Sequence, residues 1–414
     1  MAGKTVLILG GGVGGLVAAN ELRHRLSKEH RIIVVDRERE HRFQASYLWL
    51  MVGWRKPAAI SRDLAALNRR GIEYRQADVL SIDLPNNAVE TSGGTIPYDY
   101  LVIALGAELD LDAIPGLAQA GHTPYDFQGA AKLKEVWQTF RGGSVAVVIA
   151  STPFKCPAAP YETALLLDYA LRQKGIRDEV NISLFTPEAL PMAVAGPAVG
   201  QALVRMLAER DIRFNPGHKL ATVDAEQRRL RFENEREAGF DLLVYVPPHR
   251  PPAVVRQSGL SGEVGWIPVD RNTLKTGRDH VYALGDVAAV SLPNGMMLPK
   301  AGVFAHGQAQ VVAHNIAAEI DGRGQERPFD GWGGCFIEVG GGRAAYGSGH
   351  FFAEPSPAVQ LYEPARSWHM GKALLEKAWL QAVGPSPLIA RGAFWAMDLG
   401  NRTLLEQHWL WRRF

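Results

Sequence analysis

Short runs of consecutive apolar residues, the first two closed by glycines and by an acid, recur along this chain and predict parallel strands covered by helices. Residues 4–9 (Lys-Thr-Val-Leu-Ile-Leu) read as a buried strand, followed by Gly10-Gly11-Gly12-Val13-Gly14-Gly15 and a helical stretch over 16–22. The next run, 31–36, ends in a carboxylate. Unbroken apolarity, rather than alternation, marks strands buried on both faces. Similar runs return at 98–106, after turn signals at 85–87 and 92–94, and again at 144–150, 181–185, 242–246 and 280–287. Helical stretches near 161–173 and 197–210 lie between them. The pattern is that of an α/β chain with two Rossmann-like units.

The first glycine run carries chemistry. Gly10, Gly12 and Gly15 fit G-x-G-x-x-G, with strand, turn, helix, strand and acid in order. Gly10 makes the tight turn, Gly12 lets a pyrophosphate approach the backbone, and Gly15 packs helix on strand. The helix N-terminus faces the phosphates, and Asp36 is placed to accept ribose hydroxyls. This motif does not separate FAD from NAD. After 144–150 the equivalent turn, Ser151 to Glu162, contains no glycine, and Pro153, Pro157 and Pro160 stiffen it. Prolines lack the N–H groups that a pyrophosphate needs. The second unit is thus expected to keep its architecture and to have lost nicotinamide-nucleotide binding. A thiol, Cys156, stands where the phosphate cradle would be, which suggests sulfur redox chemistry.

Composition narrows the setting. A net charge of +2 over 414 residues supplies no bulk electrostatic case for nucleic acid. The two cysteines are too few for a disulfide framework. The chain enters a strand at once, so no signal peptide is expected, and any bridge between the cysteines would be catalytic rather than structural. No run of about 18 apolar residues predicts a spanning helix. The histidines lack ligand spacing, and no metal site is expected.

Several segments resemble the sulfide:quinone oxidoreductases and their relative flavocytochrome c sulfide dehydrogenase. They are Lys155-Cys156-Pro157-Ala158-Ala159-Pro160-Tyr161-Glu162, Leu298-Pro299-Lys300-Ala301-Gly302-Val303-Phe304-Ala305, Gly333-Gly334-Cys335-Phe336, and Met370-Gly371-Lys372 onward. The resemblance implies a glutathione reductase-like flavoprotein. Residues 1–108 and 245–345 would bind FAD, 109–244 would be a degenerate second nucleotide domain carrying Cys156, and 346–414 a C-terminal membrane and quinone region. Gly106, Gly285, Asp286, Lys300 and Gly302 would join Gly10, Gly12, Gly15 and Asp36 around FAD. Cys156 and Cys335 would form the redox pair, with the order of persulfide and flavin-proximal roles left open, and Glu162 would handle protons. Lys372 and Phe336 would approach the quinone, although Leu375 replaces the aromatic of the family's Lys-x-x-Phe pattern. A third cysteine found in many members is missing from 122–128, and the flavocytochrome's flavin-linking cysteine is missing from 42–46, so FAD is expected to be non-covalent. The implied reaction is oxidation of sulfide or a related small sulfur donor with a membrane quinone as acceptor. The alternatives are a type II NADH:quinone oxidoreductase on the same fold, and a non-turnover flavin redox sensor or membrane-docked scaffold.

Residues 366–414 hold five of the ten tryptophans and seven Lys or Arg against three acids, a net +4. Trp368, Leu374, Leu375, Ala378 and Trp379 approximate a helical stripe with Lys372 and Lys377 beside it, which suits the interface of an anionic membrane. The expectation is a monotopic protein on the cytoplasmic side of the cell membrane, with homo-oligomerisation left open.

Overall fold

The computed structural model describes residues 3–381 and 383. Its centre is a five-stranded parallel sheet in the order Val281–Ala283, Tyr100–Ile103, Thr5–Leu9, Arg31–Asp36, Glu73–Gln76. Ile8 pairs with Val34 on one side and Val102 on the other, and all three are fully buried. The first strand lies in the middle because both its faces are apolar. The chain departs from it in both directions, so a crevice opens beyond its C-terminal end, where open α/β sheets bind ligands. Two helices converge there. Val13–Arg25 follows the first strand, and Gly302–Asp321 packs alongside it, with the Gly302 Cα close enough that an added Cβ would touch Val13 at 3.7 Å. Arg23 and Arg25 close the first helix with charges that oppose its dipole.

A second sheet, also parallel, has the order Ile212–Asn215, Val180–Phe185, Gly143–Ile149, Leu242–Val246. The helix Ala159–Gln173, called here the cysteine helix, follows the strand Gly143–Ile149 and is buried along most of its length. Antiparallel three-stranded excursions leave each sheet, at 79–97 and 220–239. A third unit is the antiparallel sheet Trp332–Gly340, Arg343–His350, Ala358–Ala365, followed directly by the C-terminal helix Arg366–Gln381. Gly340, Gly341 and Gly342 all have positive φ at its first turn, where the reversal leaves no room for other conformations.

All three expected domain edges fall inside strands: the one between 108 and 109 cuts Glu108–Leu109, the one between 244 and 245 cuts Leu242–Val246 of the second sheet, and the one between 345 and 346 cuts Arg343–His350 of the third. A strand is a cooperative hydrogen-bonded unit, and a boundary based on residue character alone does not see its partners.

The C-terminal helix also differs from the expected stripe. Its inward row is Lys372, Glu376 and Trp379, while Met370 and Leu374 are 62% and 63% exposed. Leu374 and Trp379 are five positions apart, about 140° around a helix, and cannot share a face. The helix buries its charges because partners wait for them, as described below. Trp395, Trp409 and Trp411 lie outside the described residues. Among the described residues no helix is long and apolar enough to cross a membrane.

Candidate active site

The glycine loop is shaped by steric exclusion on two sides and openness on the third. Gly10 has φ +104°, and a Cβ there would collide with the Ala104 carbonyl; one on Gly15 would sit on the Gly10 carbonyl. At Gly12, by contrast, a Cβ would meet nothing within 4 Å. Gly10 and Gly15 therefore hold strand and helix together, and Gly12 leaves a space for a ligand. Asp36 accepts the N–H of Gly11 at 2.5 Å and that of Glu38 at 2.8 Å, while burial raises its carboxyl above the usual range. Gly106 and Gly285 both take positive φ, at +69° and +73°, on the strand ends that flank the crevice. Gly12 and Ala301, the residues preceding the two converging helices, offer no side-chain cap, so the helix N–H groups are left for an anion.

Cys156 is brought to this crevice from the second unit. Its N–H donates to the Lys300 carbonyl at 2.7 Å, and Lys155 and Lys300 form an isolated parallel bridge. The proline-rich loop is thus stitched to the segment that precedes the helix Gly302–Asp321. Cys156 has φ +50°, a left-handed conformation uncommon for residues other than glycine. Its carbonyl accepts Ala159 N–H at 2.9 Å and the Tyr125 hydroxyl at 3.2 Å. Cys335 comes from the third sheet, opposite Gly347, and packs with Cys156 against one apolar cluster. Both are free thiols. Burial pushes Cys156 up to about 11, helped by the Asp286 charge, and Cys335 up to about 12, helped by Glu162 and Cys156. Lys372 opposes both shifts.

Glu162 stands in the first turn of the cysteine helix and is buried. One of its oxygens accepts the Lys372 ammonium at 2.7 Å and the Glu338 N–H at 2.9 Å. Burial disfavours the Lys372 charge, but Glu162 and Glu338 outweigh it and hold the ammonium above its ordinary range. Glu338 is fully buried, so desolvation raises its carboxyl against the pull of Lys372 and His369. Its two oxygens lie 3.0 and 2.9 Å from Nδ1 of His369, which is partly exposed. Trp49 covers the cluster, with the Lys372 ammonium 5.1 Å and the Arg55 guanidinium 4.2 Å from its ring. Phe336 packs on Gly371, one residue before Lys372.

Lys300 turns inward. Its ammonium donates to the carbonyls of Asp286 (2.6 Å) and Ala288 (3.3 Å) and lies 3.6 Å from the Trp266 ring. Burial lowers it to about 8, with the Asp286 charge opposing.

The sequence pattern of the pyridine nucleotide-disulphide oxidoreductases matches residues 4–309, about three quarters of the chain. This chain belongs to that family. Among family relatives, it is 28% identical to the mitochondrial sulfide:quinone oxidoreductase of Mus musculus over 84% of this chain and 79% of the relative. It is 28% identical to the sulfide-quinone reductase of Aquifex aeolicus, over 92% and 91% of the two chains. The solved structure of the Aquifex aeolicus sulfide:quinone oxidoreductase superposes with a TM-score of 0.83 at 25% identity, covering 92% of this chain and 91% of that one. This family member therefore shares the two-domain flavoprotein fold and is similar to sulfide:quinone oxidoreductases over 84–92% of its length.

Of the residues singled out in the sequence, the family fold brings Cys156, Cys335, Glu162, Phe336 and Lys372 into one region. Gly10, Gly12, Asp36, Gly285 and Gly302 line the crevice beside it. Glu338, His369, Tyr125 and His41 were not singled out. For Glu338 a signal existed, an acid three positions after Cys335 in an otherwise apolar strand. The others carry no local signal, since their partners are distant in sequence.

Proposed function

We propose that the protein is an FAD-dependent enzyme that oxidises sulfide, or a related small sulfur donor, through Cys156 and Cys335, and delivers the electrons to a membrane quinone. The observation that carries this reading is the convergence of two thiols from separate units on one apolar cluster beside a glycine cradle. The open space at Gly12, the two uncapped helix starts and the Asp36 carboxylate fit a dinucleotide, and a flavin goes with membership of the family. Gly10, Gly12, Gly15, Asp36, Gly106, Gly285, Asp286, Lys300 and Gly302 would hold FAD without a covalent bond.

Hydrosulfide attacks one sulfur of a Cys156–Cys335 bridge; the S–S bond breaks, leaving a persulfide on one cysteine and a thiolate on the other. A second hydrosulfide takes the outer sulfur as HSS⁻ and leaves a thiol. A bound FAD would accept the two electrons released when this thiol and the thiolate re-form the bridge with loss of one proton, and a quinone would take them on. Thiols with pKa values near 11 and 12 are poor leaving groups unless a proton or positive charge meets them. Glu162 and the Lys372 ammonium are the groups within electrostatic reach of both sulfurs. Phe336 and Lys372 would stand between the sulfur site and the quinone. Met370 and Leu374, flanked by the exposed Arg366 and Lys377, would rest on the membrane surface.

The NADH reading is disfavoured by the turn from Ser151 to Glu162 in the second unit, which has no glycine and carries Pro153, Pro157 and Pro160 where a pyrophosphate needs N–H donors. Anaerobic mixing decides between them. Sulfide should bleach the flavin while NADH leaves it oxidised; bleaching by NADH alone would overturn the proposal.

A further inference from the structure

The C-terminal helix reaches the glycine loop through the imidazole of His41. Trp379 is almost fully buried, stacks on Phe43 with ring centres 5.9 Å apart, and touches the ring of His306. Its indole N–H, which can only donate, points to Nε2 of His41 at 2.9 Å. That nitrogen must therefore present its lone pair. Burial lowers the His41 pKa to about 4, so the ring is neutral and carries its one proton on Nδ1. Nδ1 lies 3.1 Å from the Gly11 carbonyl and donates to it.

Gly11 is thereby held at both ends, its N–H by Asp36 and its C=O by His41. In a trans peptide the C=O and the following N–H point in opposite directions. With the Gly11 carbonyl turned to His41, the N–H of Gly12 is turned away from it, at the residue whose Cβ position is open. Gly12 also starts the helix Val13–Arg25, whose first N–H groups are the anion-binding ones.

We propose that His41, locked by Trp379, is a positioning residue of the cofactor cradle, aiming the Gly12 N–H at the phosphates of the bound dinucleotide. The inference rests on the FAD reading above and goes beyond it, because it makes the seat of the cofactor depend on the C-terminal helix. Lys372, Glu376 and Trp379 form one row on that helix. They bind Glu162 of the cysteine helix, Ser46 with Arg55, and His41, respectively. Docking of this helix and binding of the dinucleotide consequently favour one another, and the linkage is reciprocal.

The test uses full-length protein purified with FAD. Trp379→Phe keeps a ring against Phe43 and removes only the N–H. It should weaken FAD binding about five- to tenfold, the effect of one buried hydrogen bond, measured by flavin release on dilution. Independently, ¹⁵N-histidine spectra of the wild type, with His41 assigned by its absence from His41→Gln, should show the Nδ1–H tautomer. Unchanged FAD affinity in a folded Trp379→Phe protein, or an Nε2–H tautomer at His41, overturns the inference. If Trp379→Phe does not fold, the tautomer of the wild type decides alone. A wild-type protein that takes up no FAD overturns the cofactor reading itself, a result distinct from FAD bound with unaltered affinity.

Discussion

Lys372 and Glu162 sit 2.7 Å apart with side chains 7% and 6% exposed, joining the C-terminal helix to the helix that carries the cysteine loop. Removing one partner leaves an unpaired buried charge. Lys372→Met should destabilise the protein by about 3–5 kcal/mol. The double variant Lys372→Met/Glu162→Gln should recover much of that loss in chemical denaturation. A Lys372→Met protein as stable as the wild type would show that the pair is not charged in the fold.

The proposed bridge chemistry requires each cysteine. Cys156→Ser and Cys335→Ser should each lower sulfide-dependent flavin reduction at least 100-fold in stopped-flow mixing, about 3 kcal/mol in the barrier, with melting temperatures close to wild type. The left-handed backbone at Cys156 adds a second readout. Cys156→Gly should be about 1 kcal/mol more stable than Cys156→Ser, because glycine adopts that conformation without a steric penalty.

The two kinds of glycine in the loop should separate cleanly. Gly15→Ala places a methyl on the Gly10 carbonyl and should unfold or severely destabilise the first unit. Gly12→Ala meets nothing in the protein, so apoprotein stability should change by less than about 0.5 kcal/mol. Flavin content after purification should nonetheless fall sharply in Gly12→Ala. Full flavin occupancy in that variant would move the pyrophosphate elsewhere.

Acid should destabilise the fold through buried neutral histidines. Burial lowers His41 from 6.5 to about 4, and burial aided by the Lys155 charge lowers His249 to about 3. The unfolded chain then binds more protons than the folded one between those values and 6.5. The stability from His41 is thus complete above pH 6.5 and is lost as pH falls toward 4, on the order of 3 kcal/mol in all. His41→Gln should reduce the slope of stability against pH by about one proton in that window, measured by urea denaturation across pH. An unchanged slope would mean that His41 is charged in the folded state.

Met370 and Leu374 are the apolar side chains that the C-terminal helix turns outward. Met370→Glu/Leu374→Glu should leave stability within about 1 kcal/mol of wild type. The same variant should float with anionic vesicles several-fold less than the wild type. Equal flotation would assign membrane contact to another surface.

Much of the fold was legible because it is written locally. The run 4–9, the glycines at 10, 12 and 15, and the acid at 36 lie within one strand–turn–helix–strand unit, so spacing alone carries the geometry. Strands near 181–185 and 242–246 and the helix near 161–173 were legible for the same reason: buried parallel strands must be apolar throughout. The stripe assigned to residues 368–379 was not, because a helical pattern of apolar residues presumes that charges face water. Here Lys372 and Glu376 face inward, toward Glu162 and Arg55, residues some 210 and 321 positions away in the chain.

The sequence by itself determined the dinucleotide unit, the loss of a second glycine cradle and the presence of two cysteines in family-like settings, since each depends on neighbours a few residues apart. Tertiary structure alone decided that Cys156 is tied to the Lys300 segment, that Glu162 is paired with Lys372, and that Trp379 acts on Gly11 through His41. The physical reason is that burial reverses the preferences of polar groups. A lysine, a glutamate or an indole N–H removed from water is governed by the partner it meets, and only the packing of separate units brings that partner within 3 Å.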